Sequence, residues 1–229
     1  MKMPRLNIFF ISFIILFFFF SQVSMAGVIV GGTRVIYDGS KREASLSVKN
    51  PEKKTPYLIQ SWVEKDNPQG GGKTPFVITP PLFRLDAGQE NLLRIIHAGG
   101  NLPDDRESVF WLNVKSIPAS EKTDANQLQI SVRTRIKLFY RPASLKNKTA
   151  AEAYKALIFT KTGSNLQVHN PTPYYISFYS LKINGKEIKD APMIAPGETQ
   201  NYPVNANGNA TWQAINDFGG ITSPASAVF

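Results

Sequence analysis

The side chains with the richest chemistry are few in this chain, and they do not converge. There is no cysteine, and the two histidines, His97 and His169, lie far apart. Neither stands in a metal-ligand spacing, and without thiolate partners a structural zinc site is not expected; nor is any cofactor. Asp104, Asp105 and Glu107 form a carboxylate cluster of the kind that could serve acid–base work on a glycosidic bond. Charges this close along a turn are more often solvated or structural. Gly70–Gly72 and Gly99-Gly100 fall in hairpin-like turns, not between a strand and a helix, so neither reads as a phosphate loop. No GxSxG elbow and no HExxH pair occurs. No residue is therefore assigned a catalytic role, and the chain does not read as an enzyme.

Formal charge is +9, yet the basic residues are spread through the chain with no Lys/Arg block. That pattern describes a solvated basic face better than a nucleic-acid site. What remains is binding, and one stretch carries it. In Gln127–Arg141, QLQISVRTRIKLFYR, alternate positions are Leu128, Ile130, Val132, Thr134, Ile136, Leu138 and Tyr140. The positions between them include Arg133, Arg135, Lys137 and Arg141. A period of two held this long predicts one β-strand with an apolar face and a basic face. It would reach roughly 50 Å, two to three times a typical strand. Such a strand outruns one small sandwich, and its excess must pair with a second domain, a partner chain or solvent. The alternative is that Leu128, Ile130 and Val132 fill this protein's own core.

The elements around it are short and alternating. Strands are expected at Arg34–Tyr37, Ala44–Lys49, Tyr57–Glu64, Phe76–Thr79, Leu82–Leu85, Asn91–His97 and Val109–Ile117. Asp38-Gly39, Asn50-Pro51, Asn67-Pro68 and Ala87-Gly88 supply turns between them. Roughly seven strands without a helical period predict an immunoglobulin-like sandwich. After Pro142 the polar stretch Ala143–Ala153 suits a linker with one turn of helix. A second strand-rich region follows at Ala156–Lys161, Leu166–His169, Tyr175–Ile183, Thr199–Val204 and Ala210–Ile215, with Asn184-Gly185 as a two-residue hairpin turn. At the N-terminus, Lys2 and Arg5 precede an apolar run from Ile8 to Phe20, followed by Ser24 and Ala26. The run is shorter than the ~18 residues a spanning helix needs, so a cleaved secretory signal is expected and membrane insertion is not. The division expected is 1–26 signal peptide, 27–142 first domain, 143–153 linker and 154–229 second domain.

The chain carries GTRVIYDG at Gly32–Gly39, TPYLIQSWVE at Thr55–Glu64, TPPLFRL at Thr79–Leu85 and LPDDRESVFWLNVKSIP at Leu102–Pro118. RIKLFYRP at Arg135–Pro142, NPTPYY at Asn170–Tyr175 and INDFGG at Ile215–Gly220 follow. In these motifs and their order, from Ile29 to about Gly220, the chain resembles the periplasmic pilus chaperones of the chaperone–usher pathway. The resemblance implies two immunoglobulin-like β-sandwich domains, all β, joined at an angle with a cleft between them. It also implies a periplasmic protein that stabilises pilus subunits and delivers them to an outer-membrane usher. A subunit lacks its last strand, and the family's chaperones fill the open groove with their own long strand, an instance of β-augmentation. Carried over residue by residue, Leu128, Ile130 and Val132 enter the groove, while Arg34 and Lys137 bind the subunit's C-terminal carboxylate. Glu107, Arg141 and Asp217 tie the domains together.

When free, such a protein can cap its donor strand by dimerising. This chain lacks the disulfide some relatives carry in the second domain, and the arrangement of its last strands is left open. Its Pro118–Leu128 connection is short, as in the subfamily serving rod-like pili. Two rivals stand beside this reading. A secreted two-domain adhesin or structural pilus component would be expected to carry an exchangeable N-terminal extension. An exported carbohydrate-active enzyme would need the Asp104, Asp105 and Glu107 cluster in a cleft.

Overall fold

Alternating sequences bury one side of each strand, and two such sheets close over a shared core. The computed structural model describes residues 27–66, 74–120, 126, 128–145 and 147–229. The expected leader, Gln127 and most of the Pro118–Leu128 connection lie outside the described residues. In the first domain β1 (Ile29–Val30), β2 (Arg34–Asp38), β3 (Glu43–Lys49), β4 (Tyr57–Lys65) and β5 (Phe76–Thr79) come first. They are followed by β6 (Leu82–Leu85), β7 (Glu90–His97), β8 (Ser108–Pro118) and β9 (Val132–Arg141). One sheet has the order β1-β3-β7-β5 and the other β2-β9-β8-β4-β6. Val48, Ile59, Leu93, Ile95, Leu112 and Leu138 are fully enclosed between them. Each such aliphatic contributes ~1.5–3 kcal/mol relative to leaving it in water. The chain crosses from one sheet to the other at Gly31-Gly32, where a Cβ on Gly31 would overlap the Ser47 hydroxyl.

A short helix α1 (Asn147–Glu152) and a 3-10 turn (Ala153–Ala156) lead into the second sandwich. Ala153 and Tyr154 are already buried in its core, and the Trp212 indole donates to the Tyr154 carbonyl at 2.9 Å. β10 (Ile158–Thr162), β11 (Asn165–His169) and β14 (Thr199–Pro203) form one sheet. β13 (Lys186–Glu187), β12 (Phe178–Ile183), β15 (Asn209–Ala214) and β16 (Ala225–Val228) form the other, in that order. Asn184 and Gly185 both have positive φ, 51° and 76°, as a primed hairpin turn between β12 and β13 requires.

Two expectations change. Tyr175–Ile183 is not one strand: Ile176 makes an isolated bridge to Ile194, and a bulge between Phe178 and Ser180 interrupts the ladder. The long strand also stops early. Its ladder with β8 ends at the pair Ser116–Val132, and Leu128–Ser131 carry no strand pairing. The cause lies in the neighbours. On one side the β8 ladder stops at Ser116, two residues before β8 itself ends at Pro118, which has no N–H to donate; on the other, β2 joins β9 only from the Arg34–Lys137 pair. β13 follows the Asn184-Gly185 hairpin turn as expected, whereas the short strands β1 and β16 were not anticipated, since two to four residues hold too little alternation to read.

Candidate functional site

β2 runs parallel to β9 with Arg34 opposite Lys137, Ile36 opposite Phe139 and Asp38 opposite Arg141. Val35, Tyr37, Ile136 and Leu138 take the inward positions of these two strands. The alternate residues therefore share the outer face, which meets the second domain. Arg34 Nη1 donates to the Ile215 carbonyl at 3.0 Å, and its guanidinium lies 5.6 Å from the Phe139 ring centroid. Arg34 Nε is buried without a hydrogen-bond partner. Among the described residues the Lys137 ammonium hydrogen-bonds only Ser177 Oγ, at 3.5 Å. Neither cation takes part in an ion pair among the described residues.

Burial lowers the pKa of both groups. For Arg34 the charges of Asp217 and Glu107 offset part of that effect. For Lys137 the adjacent Arg34 adds to it, with Asp66 opposing. Two desolvated like charges without a counterion favour an anion between them, and a carboxylate would accept charge-assisted bonds from both. Arg34 also borders an interdomain cleft of about 500 Å³, with Ile36, Phe139, Arg141, Ile215 and Phe218 among its walls.

Further along the same face the charges are saturated. Arg141 Nε donates to Glu107 Oε1 at 2.8 Å, and its two terminal nitrogens reach the Asp217 carboxylate at 2.8 and 2.9 Å. Arg141 Nη1 also donates to Asn147 Oδ1 on α1 at 2.7 Å, and Tyr175 N–H donates to Glu107 Oε2 at 2.9 Å. The Glu107 N–H in turn donates to the Pro173 carbonyl at 2.9 Å. Burial pulls Arg141 down, but bonds and charges from Asp217 and Glu107 outweigh it and push the pKa up. Burial raises the Glu107 carboxyl, with Arg141 and the Tyr175 N–H opposing. The structure thus brings Glu107, Arg141 and Asp217 together across the domain boundary. It also breaks up the acidic cluster: Glu107 is buried here, whereas Asp104 and Asp105 are exposed, Asp105 beside Arg106. No acid–base pair in a cleft results.

Leu128, Ile130 and Val132, expected from the resemblance to enter a subunit's groove, stand apart from both cores. Leu128 is 90% exposed, Ile130 67% and Val132 56%. Sequence reasoning missed the supporting cast. Asn147 and Tyr175 complete the Arg141 network, and aromatic rings carry the basic row of β9. Arg133 lies 5.0 Å from the Trp62 ring centroid and chelates Glu64 at 2.8 and 2.7 Å. Arg135 lies 3.8 Å from the ring centroid of Trp111. The signal that could have found these rings was a tryptophan on the solvent-facing phase of each neighbouring strand.

Residues 27–146 match the family of pili and flagellar-assembly chaperones, PapD N-terminal domain, and residues 152–226 match the pili assembly chaperone PapD, C-terminal domain. The probable fimbrial chaperone LpfB of Escherichia coli O157:H7 is 49% identical over 208 residues, covering 88% of each chain. The chaperone protein LpfB of Salmonella typhimurium is 46% identical over 207 residues, 87% of this chain and 88% of that one. Among solved structures, a complex of the Salmonella enterica SafA pilin with the SafB chaperone aligns with a TM-score of 0.77 at 34% identity, over 91% of this chain and 99% of that chain. With both PapD-type sandwiches present in order and close to half of the residues shared with a fimbrial chaperone, this chain belongs to the pilus-assembly chaperones, a family of non-enzymatic binding proteins.

Proposed function

We propose that this protein is a periplasmic chaperone that binds pilus subunits by donor-strand complementation and passes them to an outer-membrane usher. The observation that carries the reading is the free end of β9. Its apolar phase continues as Val132, Ile130 and Leu128, all exposed, with Ile130 and Leu128 beyond the last β8 pair. On the other phase of the same strand stands Lys137, beside Arg34 and without a carboxylate partner among the described residues. Leu128 to Lys137 spans about 30 Å of extended chain, so a partner strand held at its terminal carboxylate would lie along the aliphatic row in one register. Burying those aliphatics stabilises the complex by ~1.5–3 kcal/mol each, and the added ladder satisfies an otherwise open edge.

The roles of Arg34 and Lys137, of Leu128, Ile130 and Val132, and of the Glu107–Arg141–Asp217 network as the element that sets the interdomain angle belong to this proposal. So do export by a leader cleaved after Ala26, the division of the mature chain at residues 143–153, and self-capping by a dimer of the free protein. Co-expression with the subunits of a neighbouring fimbrial gene cluster, followed by pull-down, tests it. Recovery of a one-to-one complex that depends on Ile130 and Lys137 is the expected result; capture that survives both Ile130→Asp and Lys137→Ala would overturn the reading.

A further inference from the structure

Little fixes the Lys137 ammonium. Its one hydrogen bond, to Ser177 Oγ, is long at 3.5 Å, and the charge of nearby Arg34 opposes its own. A lysine stem left to its rotamers would blur the place where a carboxylate is received. Trp111 is placed to prevent this. It is the ladder partner of Lys137 in the β8–β9 pairing, and its ring centroid lies 5.8 Å from Nζ, within cation–π reach. The same ring carries the Arg135 guanidinium at 3.8 Å, so one indole serves two neighbouring cations of the basic row.

The indole is itself held. Its N–H donates to Asp66 Oδ1 at 2.6 Å, just beyond the end of β4. Asp66 also acts on Lys137 through charge, favouring the ammonium. Trp111 belongs to neither apolar core cluster; it faces outward and is only half-buried. A large aromatic kept outside the core, with its N–H satisfied and its ring shared by two cations, has a task other than packing.

We propose that Trp111, pinned by Asp66, is the positioning residue for Lys137 in the carboxylate site. It touches no carboxylate itself. Ring and Ser177 restrict the arc of the ammonium, so its charge stands beside Arg34 before a ligand arrives, and less ordering is left to be done on binding. The inference rests on the reading of Arg34 and Lys137 as a carboxylate-binding pair.

The test uses the mature protein and a synthetic peptide with apolar residues at alternate positions, made once with a free α-carboxylate and once amidated. Titration by fluorescence anisotropy gives the ratio of the two affinities. The wild type is expected to favour the free carboxylate by about a hundredfold or more. Trp111→Leu should bring the ratio down to roughly tenfold, and Trp111→Phe, which keeps a ring face, should restore most of it. Asp66→Ala, at an exposed position that leaves the fold intact, should give an intermediate ratio and carries the test if Trp111→Leu fails to fold. A merely structural tryptophan would weaken both peptides alike and leave the ratio unchanged, which would overturn the inference. A wild type that does not distinguish the two peptides would instead overturn the carboxylate site on which it rests.

Discussion

Arg141 and Lys137 stand on the same face of β9, yet their surroundings are opposite. Arg141 is 4% exposed and bonded to Glu107, Asp217 and Asn147, so each of its nitrogens has a partner. Lys137 has one long bond to a hydroxyl, and its partner across the ladder, Arg34, keeps a buried Nε with none. A desolvated charge that is fully paired is offset by its partners; one left unpaired stays costly until an opposite charge reaches it, the role the proposed function gives to a ligand carboxylate. The apolar phase of the strand divides the same way. Leu138 is enclosed in the core, whereas Leu128 is 90% exposed. One strand is structural at its C-terminal end and, in the proposed function, offered to a partner at its N-terminal end.

This contrast can be broken at either end, and the largest effect belongs to the saturated one. Arg141→Ala strands Glu107 as a buried unpaired charge, so chemical denaturation should show a loss of about 3–5 kcal/mol. A loss below about 1 kcal/mol would mean the network is no stronger than a surface pair. At the open end, Ile130→Asp should leave the melting curve at the wild-type position, because the residue contacts neither core. Subunit pull-down should fail, since an unpaired carboxylate in an apolar groove costs several kcal/mol. Unfolding of that variant would instead place Ile130 in the protein's own core.

Arg34→Ala and Lys137→Ala sharpen the middle of the comparison. Each should lower affinity for a free carboxylate terminus by about 1.5–3 kcal/mol, the size of a charge-assisted bond, read by calorimetry. Neither should destabilise the free protein as Arg141→Ala does, because neither leaves a partner carboxylate unpaired. The smallest change is expected at Arg133→Ala. Its Glu64 pair is largely solvated, so stability should move by ~0–1 kcal/mol and the shift should shrink with added salt.

Much of this was legible in the residues. Tyr57–Lys65, Phe76–Thr79, Leu82–Leu85 and Ser108–Pro118 fall within a residue of their expected bounds, because alternation reports which side of a strand is buried. The pairing of Arg34 with Lys137 came from resemblance, not from spacing, since the two lie on strands far apart in the chain. Asn147 went unnoticed because nothing local distinguishes a network asparagine from an ordinary surface residue; Trp111 stands on the solvent-facing phase of β8, but which cations its ring meets is set by the pairing with β9.

The alternation from Leu128 to Tyr140 by itself determined that one phase would be apolar and the other basic, for a strand's side chains must point to opposite faces. It could not determine where that strand would find neighbours. Only the tertiary structure decided that the β8 ladder stops at the Ser116–Val132 pair and that β2 arrives at Lys137, leaving Leu128–Ser131 without a ladder. The same holds for the cations. Arg, Lys and Arg at alternate positions look alike in sequence, but whether a charge is paired depends on what the second domain sets against it. Asp217 was set against Arg141, and a carbonyl and a hydroxyl against Arg34 and Lys137.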